Sequence, residues 1–600
     1  MPNHVHFSLP TWQRDDDEGT ESLIHIPLAA DRPTPVSSSF KSSPPIEPHP
    51  MVAHRWRKIQ RIVKTVLLVV VLVCASVGLY MRFAGHPTAV VMDPALDEVN
   101  LPIDRVGALW KDDFQCLGWR AVAGCDPTGK RHPTADRGCD DAITRDMAGY
   151  CEVRNRTSGE IYRVMATTCR GIHEHGSFTC NMAKNFTDFS ILAATYKHVP
   201  ALQVAATPKP SRGIVMSIYQ EALPSVFAIV RTLRLLKCKL PVELFYRPSE
   251  VSLSNPIVTE LISHYNCRLR EIRDPQAVRF KTKPYAIYHS QFDHVLFLDS
   301  DNIPAKDPTY LFESREFVEH GAVFWPDFWQ APYSLFNVNK QSLLWQLVDM
   351  PFWDTFEQES GQLLIDRRRS EDALHKLMFY SVGDIAVGDM LEQLQLVWGD
   401  KDLFRLAWRN TSTPYYFVKQ PPGLGGIYDD NSRFFCGVAM IQYDMQGEIL
   451  FVHRNTVKMT GSPSQSQLIT HLQQFTYRDG NTHMYQVALR GNRLGMKSCY
   501  FLPDGVPSVV EGLEKTSISK VEETALQYAI EAGKLIDYED TKYWGSTMEF
   551  LEVLALYTFC AFALCFILNF AFFRFYYVEK KLYWFDRYSG KKRKYSTPIV

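Results

Sequence analysis

Two long apolar runs bracket the chain, and the hydrophobic pattern between them changes character twice. The first run, Thr65–Met81, holds 17 residues without a charged side chain, the short end of what crosses a bilayer at 1.5 Å per residue. The second, Val553–Phe573, holds 21. Both read as transmembrane helices, placed at 62–83 and 551–573. The alternatives are a cleaved signal peptide for the first, which starts too far from the N-terminus, and a buried core helix for the second, which it exceeds in length. Between the runs, 85–205 has few apolar stretches. At Arg212 the texture turns to short apolar strands and amphipathic helices. Gly213–Ile218, Val242–Tyr246 and His294–Leu298 read as strands, and Leu223–Leu236 has helical spacing. Strands alternating with helices predict an α/β domain, 206–460, with a mainly parallel sheet. Residues 461–550 read as a helical extension.

Charge orients this layout. Arg55, Arg57, Lys58, Arg61 and Lys64 precede the first run, and the segment Arg574–Val600 carries eight Lys/Arg against Glu579 and Asp586. Basic flanks stay on the cytosolic side. A disordered, Pro- and Ser-rich tail (1–61) and a basic tail (574–600) are therefore expected in the cytosol, the middle in a lumen, and the lipid bilayer as a partner. The whole chain has a formal net charge of -1, which gives no footprint for nucleic acid.

Cysteine fits a luminal middle. Six of the 13 cysteines cluster as Cys116, Cys125, Cys139, Cys151, Cys169 and Cys180. This cysteine-rich segment, 85–205, predicts up to three disulfides in an oxidising compartment, with connectivity open. A zinc site is the rival reading, though no C-x-x-C pair is present. Glycosylation sequons begin at Asn155, Asn185 and Asn410.

The candidate chemistry centres on Phe297-Leu-Asp-Ser-Asp-Asn-Ile-Pro304. A buried strand here delivers Asp299 and Asp301 to its C-terminal edge, where open α/β sheets bind ligands. Two adjacent carboxylates suit a hard divalent cation, Mn²⁺ or Mg²⁺, which can also hold a diphosphate. The competing reading is a surface turn.

The run Phe292–Pro304, with Asp307-Pro, Leu311-Phe and Gly321-Ala-Val-Phe-Trp-Pro-Asp327, resembles the fungal Mnn1/Mnn2-type α-mannosyltransferase family. Glu359-Ser-Gly-Gln362, Trp398-Gly-Asp-Lys-Asp-Leu-Phe404 and Phe451-Val-His-Arg-Asn455 with Lys458 follow in the same order. The resemblance covers about 212–460. A more distant one, to glycogenin-like retaining transferases, rests on Asp299/Asp301, Ser360-Gly361-Gln362, Gly399-Asp400-Lys401 and His453 with Lys458. Together they imply a GT-A (Rossmann-like nucleotide-diphospho-sugar transferase) domain in the Golgi lumen. They imply that His453 completes a metal site with Asp299 and Asp301, and that Lys283, Gln362 and Lys458 join those carboxylates in binding the donor. Asp400 matches the catalytic-region aspartate, with Asp402 as its close competitor. Glu359 is expected either to hold sugar hydroxyls or to sit at a helix N-terminus. Trp325, Trp329 and Trp353 offer sugar-stacking faces or core packing. The implied activity is α-linked transfer of mannose from GDP-mannose to a glycoprotein glycan. A UDP-sugar donor and a non-catalytic membrane glycoprotein with a degenerate domain stand as alternatives.

Overall fold

Three antiparallel strands open the described chain: β1 (Phe114–Ala121), β2 (Gly149–Asn155) and β3 (Ile161–Thr167), with β2 central. The computed structural model describes residues 114–204, 209–334, 336–383, 390–429, 433–476, 484–493, 496–513 and 517–536. Disulfides Cys116–Cys139, Cys125–Cys169 and Cys151–Cys180 staple this small sheet. Each of the six cysteines is thus consumed by a partner, which removes the zinc alternative. Helix α1 (Ala183–Thr195) follows, burying Phe186, Phe189 and Ala193 on one face. Phe189 stacks on Tyr380 with ring centroids 5.7 Å apart.

The central sheet has seven strands. They are β4 (Arg212–Ile218), β5 (Val242–Tyr246), β6 (Cys267–Glu271), β7 (His294–Leu298), β9 (Ala322–Gln330), β10 (Phe356–Asp366) and β11 (Tyr416–Phe417). The strand between them in sequence, β8 (Asn302–Pro304), joins a second sheet. The order is β11-β9-β10-β7-β4-β5-β6. Strands β6, β5, β4 and β7 run parallel, whereas β10 is antiparallel to both β7 and β9. The sheet is therefore mainly parallel as expected, with β10 as its one antiparallel strand among the described residues. Along β7 the period of two sends Val295 and Phe297 into one core, and Leu296 and Leu298 into the other. Burial on both faces is why this strand reads as an unbroken apolar run.

Helices α2 (Leu223–Leu235) and α3 (Pro256–His264) belong to the second of those cores. Helices α4 (Thr282–His289), α5 (Glu371–Val382) and α6 (Leu403–Asn410) belong to the first. Asn255 caps α3 by accepting the Ile257 N–H, with Pro256 as first helical residue. The first core also contains Trp119, Cys151, Val153 and Phe178. The disulfide-stapled segment and the α/β domain thus share one hydrophobic core, and all described residues fall within one unit, Ala84–Tyr538.

Beyond 460 the structure departs from the helical expectation. The second sheet combines β8 with β12 (Gly423–Asp429), β13 (Phe434–Tyr443), β14 (Ile449–His453), β15 (His471–Phe475), β16 (Ala488–Arg493), β17 (Met496–Phe501) and β18 (Ser508–Gly512). Strand β15 pairs with β12, and Cys436–Cys499 ties β13 to β17. Only then comes a helix, α7 (Ser517–Leu535), whose apolar face joins the core of α2 and α3. Residue 460 therefore lies inside a sheet-forming region and marks no domain boundary.

The fold-class expectation is corrected in its membrane part. Among the described residues no helix is long and apolar enough to cross a membrane. The expected spans 62–83 and 551–573 and the tails 1–61 and 574–600 lie outside the described residues. The α/β part stands.

Candidate active site

The site is assembled by register. Strand β7 ends at Leu298, so Asp299 emerges at its C-terminal edge, where its N–H donates to the Gly361 carbonyl at 2.8 Å. On the neighbouring β10, Gln362 pairs with Leu298, which sets Glu359 just past the end of β7. The short β8 pairs antiparallel with β14, placing Asn302 opposite His453. Two crossings at one sheet edge thus bring residues 152 positions apart into contact: His453 Nε2 lies 3.1 Å from Asp301 Oδ1.

Asp299, Asp301 and His453 each offer a ligand atom, and these atoms all lie within 4.8 Å of one another. Lysines flank the trio on two sides. Lys283, buried near the start of α4, sits 3.0 Å from Asp299 Oδ2 and 3.1 Å from Asp400 Oδ2, and donates to the Ser360 carbonyl and hydroxyl. Lys458, partly exposed, approaches Asp301 Oδ2 at 3.6 Å and donates to the Tyr219 hydroxyl at 3.3 Å.

A third lysine, Lys401, bridges Asp327 Oδ2 at 2.5 Å and Glu359 Oε2 at 3.1 Å. The other Glu359 oxygen accepts the N–H groups of Ser360 and Gly361 and lies 3.6 Å from His453 Nδ1. Glu359 is therefore part of the site and not a helix-capping carboxylate; it belongs to β10.

Electrostatics show what the site lacks. Asp299, Asp301, Asp327, Glu359 and Asp400 supply five formal negative charges, and Lys283, Lys401 and Lys458 three positive ones, leaving about -2 with His453 neutral. Burial, reinforced by Asp301 and Asp400, pushes the Asp299 carboxyl up to about 6 against the pull of Lys283. Asp301 moves the other way: burial is outweighed by His453 and Lys458, which hold it below the usual carboxylate range. Burial disfavours the imidazolium of His453, but Asp301, Glu359 and Asp299 together raise its pKa. Burial also opposes ionisation of Glu359, yet Lys401, His453 and Lys283 hold it down to about 2. The excess of two negative charges, with two carboxylates and an imidazole converging, fits one divalent cation.

Of the residues singled out from sequence, Asp299, Asp301, His453, Lys283, Lys458, Asp400 and Glu359 converge here. Gln362 is fully buried behind them and accepts from Asn302 Nδ2 at 2.7 Å. Asp402 turns away. It precedes α6 with φ 62° and pairs with buried Arg405, while its Oδ1 also accepts the Gln358 N–H. Trp325 is core, its indole N–H donating to the Tyr443 carbonyl, and Trp353 packs under the Arg405 and Arg409 guanidinium groups.

Asn155 ends β2 and Asn185 lies on α1. Asn410 is built into the packing: its Nδ2, the atom a glycan would take, donates to the Val348 carbonyl. Sequence reasoning assigned no role to Asp327, Lys401, Asn302 or Tyr219. Three of these stood inside or beside quoted motifs, but nothing in the chain order signals that Lys401 reaches Asp327 and Glu359 together.

Residues 211–444 match the mannosyltransferase family model Mannosyl_trans3, which bears out the family resemblance over that segment. Alpha-1,2-mannosyltransferase MNN2 of Saccharomyces cerevisiae is 28% identical over 258 residues, covering 36% of this chain and 43% of the relative. MNN21 and MNN2 of Candida albicans, both named alpha-1,2-mannosyltransferases, are 28% and 34% identical, covering 37% and 36% of this chain. The match spans less than half the length of each relative: 43%, 41% and 44%. Among solved structures, the galactosyltransferase LgtC with donor and acceptor sugar analogues aligns at TM-score 0.25 and 15% identity, covering 34% of this chain and 73% of that one. The glycosyltransferase GlyE of Streptococcus pneumoniae aligns at TM-score 0.24 and 14% identity, covering 35% and 45%.

Proposed function

We propose that this chain is a glycosyltransferase that moves mannose, in α linkage, from GDP-mannose to a hydroxyl of a glycoprotein glycan, with Mn²⁺ as its cation. The observation that carries this reading is the convergence of Asp299, Asp301 and His453 within 4.8 Å, with lysines on two sides. The family match and the relatives named alpha-1,2-mannosyltransferases support mannose as the sugar. A bound divalent cation there would neutralise charge on the departing diphosphate.

The chain's own residues divide the remaining work. Lys458, at the open side, meets the diphosphate and offsets the charge that grows as it leaves. Lys283 holds Asp299 and Asp400 in fixed positions at the opposite side. Asp400, delivered by the turn before α6, faces the sugar end and stabilises positive charge developing at the reacting carbon. Four disulfides among the described residues support work in an oxidising compartment, and we assign it to the Golgi lumen.

The test is a donor screen with the purified chain, Mn²⁺ and a panel of nucleotide sugars, using an α-mannoside acceptor. Consumption of GDP-mannose with growth of the acceptor by one hexose is the expected result. Use of a UDP-sugar in its place would overturn the donor assignment, and no turnover of any donor would overturn the activity.

A further inference from the structure

We propose that Phe280 and Trp398 form the platform on which the acceptor sugar ring stacks, beside the turn that delivers Asp400. This deepens the reading above and rests on its transfer to a glycan hydroxyl.

Phe280 lies in the short turn Arg279–Lys281 ahead of α4 and is 42% exposed. A single exposed apolar side chain is common and marks nothing by itself. This one is held in a fixed place. A Cβ on Gly399 would fall 2.9 Å from its Cγ, 3.1 Å from Cδ2 and 3.2 Å from Cδ1, so the glycine lies against the ring. Gly399 also has φ 58°, a second reason for glycine at that position. Arg279, just before the phenylalanine, has φ 52° without being glycine, a strained conformation of the kind that clusters at ligand sites. Lys281, just after it, pairs with Glu392 at 3.4 Å.

On the other side of the contact, Trp398 immediately precedes Gly399. Its indole is partly exposed and stacks on Phe336, with ring centroids 4.8 Å apart and planes inclined by 20°. The disulfide-stapled segment secures this pair. Asn337, next to Phe336, donates through Nδ2 to the Gly171 carbonyl at 2.8 Å, and Cys169, two residues earlier, is bound to Cys125. Gln395, three residues before Trp398, is hydrogen-bonded to His173 of the same loop.

Position decides what these rings meet. The diphosphate end belongs to Asp301 and Lys458, whereas Asp400 touches Lys283. Rings beside Asp400 therefore stand at the sugar end. A pyranose presents a face of C–H bonds with slight positive charge, which suits the negative face of an aromatic ring. The donor sugar is held through its diphosphate. A neutral glycan acceptor has no such charged handle and depends on apolar faces with a few polar groups to orient it. The ligand class is thus a neutral hexopyranoside, a mannoside on the reading above.

The experiment uses the full-length chain with GDP, Mn²⁺ and methyl α-mannoside as the acceptor probe. Saturation-transfer NMR reads binding without turnover, and irradiation of aromatic protons should reach the C–H protons of the probe. Phe280→Ala and Trp398→Leu should each reduce that transfer and, in assays with GDP-mannose, raise the acceptor KM about 10-fold or more. Phe280→Tyr and Trp398→Phe should keep most of both. The KM for GDP-mannose and the calorimetric affinity for GDP with Mn²⁺ should stay as in the unmodified chain; a role in packing alone would not single out the acceptor. Phe280 is exposed, so Phe280→Ala remains the check should Trp398→Leu fail to fold. A rise in the KM for GDP-mannose in place of the acceptor's would assign the rings to the donor sugar and overturn the proposal. Unaltered acceptor KM and saturation transfer in Phe280→Ala, or no saturation transfer from the unmodified chain, would overturn it too. If the unmodified chain turns over no donor, the proposed activity falls, and the saturation transfer still decides on the platform.

Discussion

The imidazole of His453 occupies the space that a side chain on Gly361 would need: a Cβ there would fall 2.7 Å from ring atoms Cε1 and Nδ1 and 3.1 Å from Glu359 Oε1. The glycine is thus a steric condition of the site. Gly361→Ala must displace a buried ring that Asp301 contacts at 3.1 Å on one side and Glu359 faces at 3.6 Å on the other, and not merely a flexible chain end. The expected outcome is a loss of Mn²⁺ affinity of about 10-fold or more, the scale of disturbed outer partners, with thermal stability lowered only modestly. Titration calorimetry with Mn²⁺ and a melting curve on the same sample separate the two effects.

Asp301→Asn and His453→Ala address the trio directly. Each should abolish the Mn²⁺ dependence of nucleotide diphosphate binding, because cation and diphosphate complete each other's coordination and bind with positive coupling. The measurement is calorimetry of GDP with and without Mn²⁺ on each variant. If the Mn²⁺-dependent increment survives in both, the cation is held elsewhere.

Asp402 has a structural task. Its ion pair with Arg405 is almost fully buried, at 2% and 3% side-chain exposure. Removing one partner of such a pair costs about 3–5 kcal/mol, because the other charge stays in the interior. Asp402→Ala should therefore lower the urea midpoint sharply, while Asp402→Ala combined with Arg405→Met should recover much of the loss. A double variant no more stable than the single one would show that the aspartate acts through something besides Arg405.

The contrast between Asp400 and Asp402 shows where sequence stops being informative. Asp299 and Asp301 could be read directly, since an apolar strand leading into Asp-Ser-Asp announces both burial and the sheet edge. His453 and Lys458 came only through resemblance; no local signal says that β14 will pair with β8. Two carboxylates one residue apart in Gly399-Asp-Lys-Asp402 look alike in the chain. They are told apart by the positive φ at Asp402, which turns one toward Lys283 and the other toward Arg405. The stretch after 460 was misread for a similar reason. Strand β18 has an exposed and intermediate burial pattern with no alternation, and β15 depends for its identity on pairing with β12.

A cluster of histidines gives the fold a pH dependence. His198 Nε2 lies 3.2 Å from His289 Nε2, and the His198 N–H donates to His375 Nδ1 at 3.0 Å. Burial lowers all three, and with the neighbouring His198, Arg367 and Arg270 it takes His289 down to about 3. These groups stay neutral in the fold, whereas the unfolded chain protonates near 6.5. Between pH 6.5 and about 3 the unfolded state therefore binds more protons, and stability falls as the pH falls. For His289 the loss by pH 5 is at most about 2 kcal/mol. Melting temperatures at pH 7 and pH 5 should differ, and His289→Gln should narrow the difference. Identical pH profiles for the two proteins would assign the effect to other groups.

The residue after His453 is anchored from far along the chain. Arg454, 1% exposed, pairs with Glu522 of α7 at 2.9 Å, and Glu522 also accepts the N–H groups of Leu468 and Ile469. A gene fragment cut at the limit of the family match, residue 444, would lack His453 altogether. One cut at 460 would keep His453 but leave a buried guanidinium without its counter-charge. The stretch shared with the relatives is thus not a portable cassette. Chimeras and expression boundaries drawn from sequence similarity should fail here, and those carried through residue 536 should succeed.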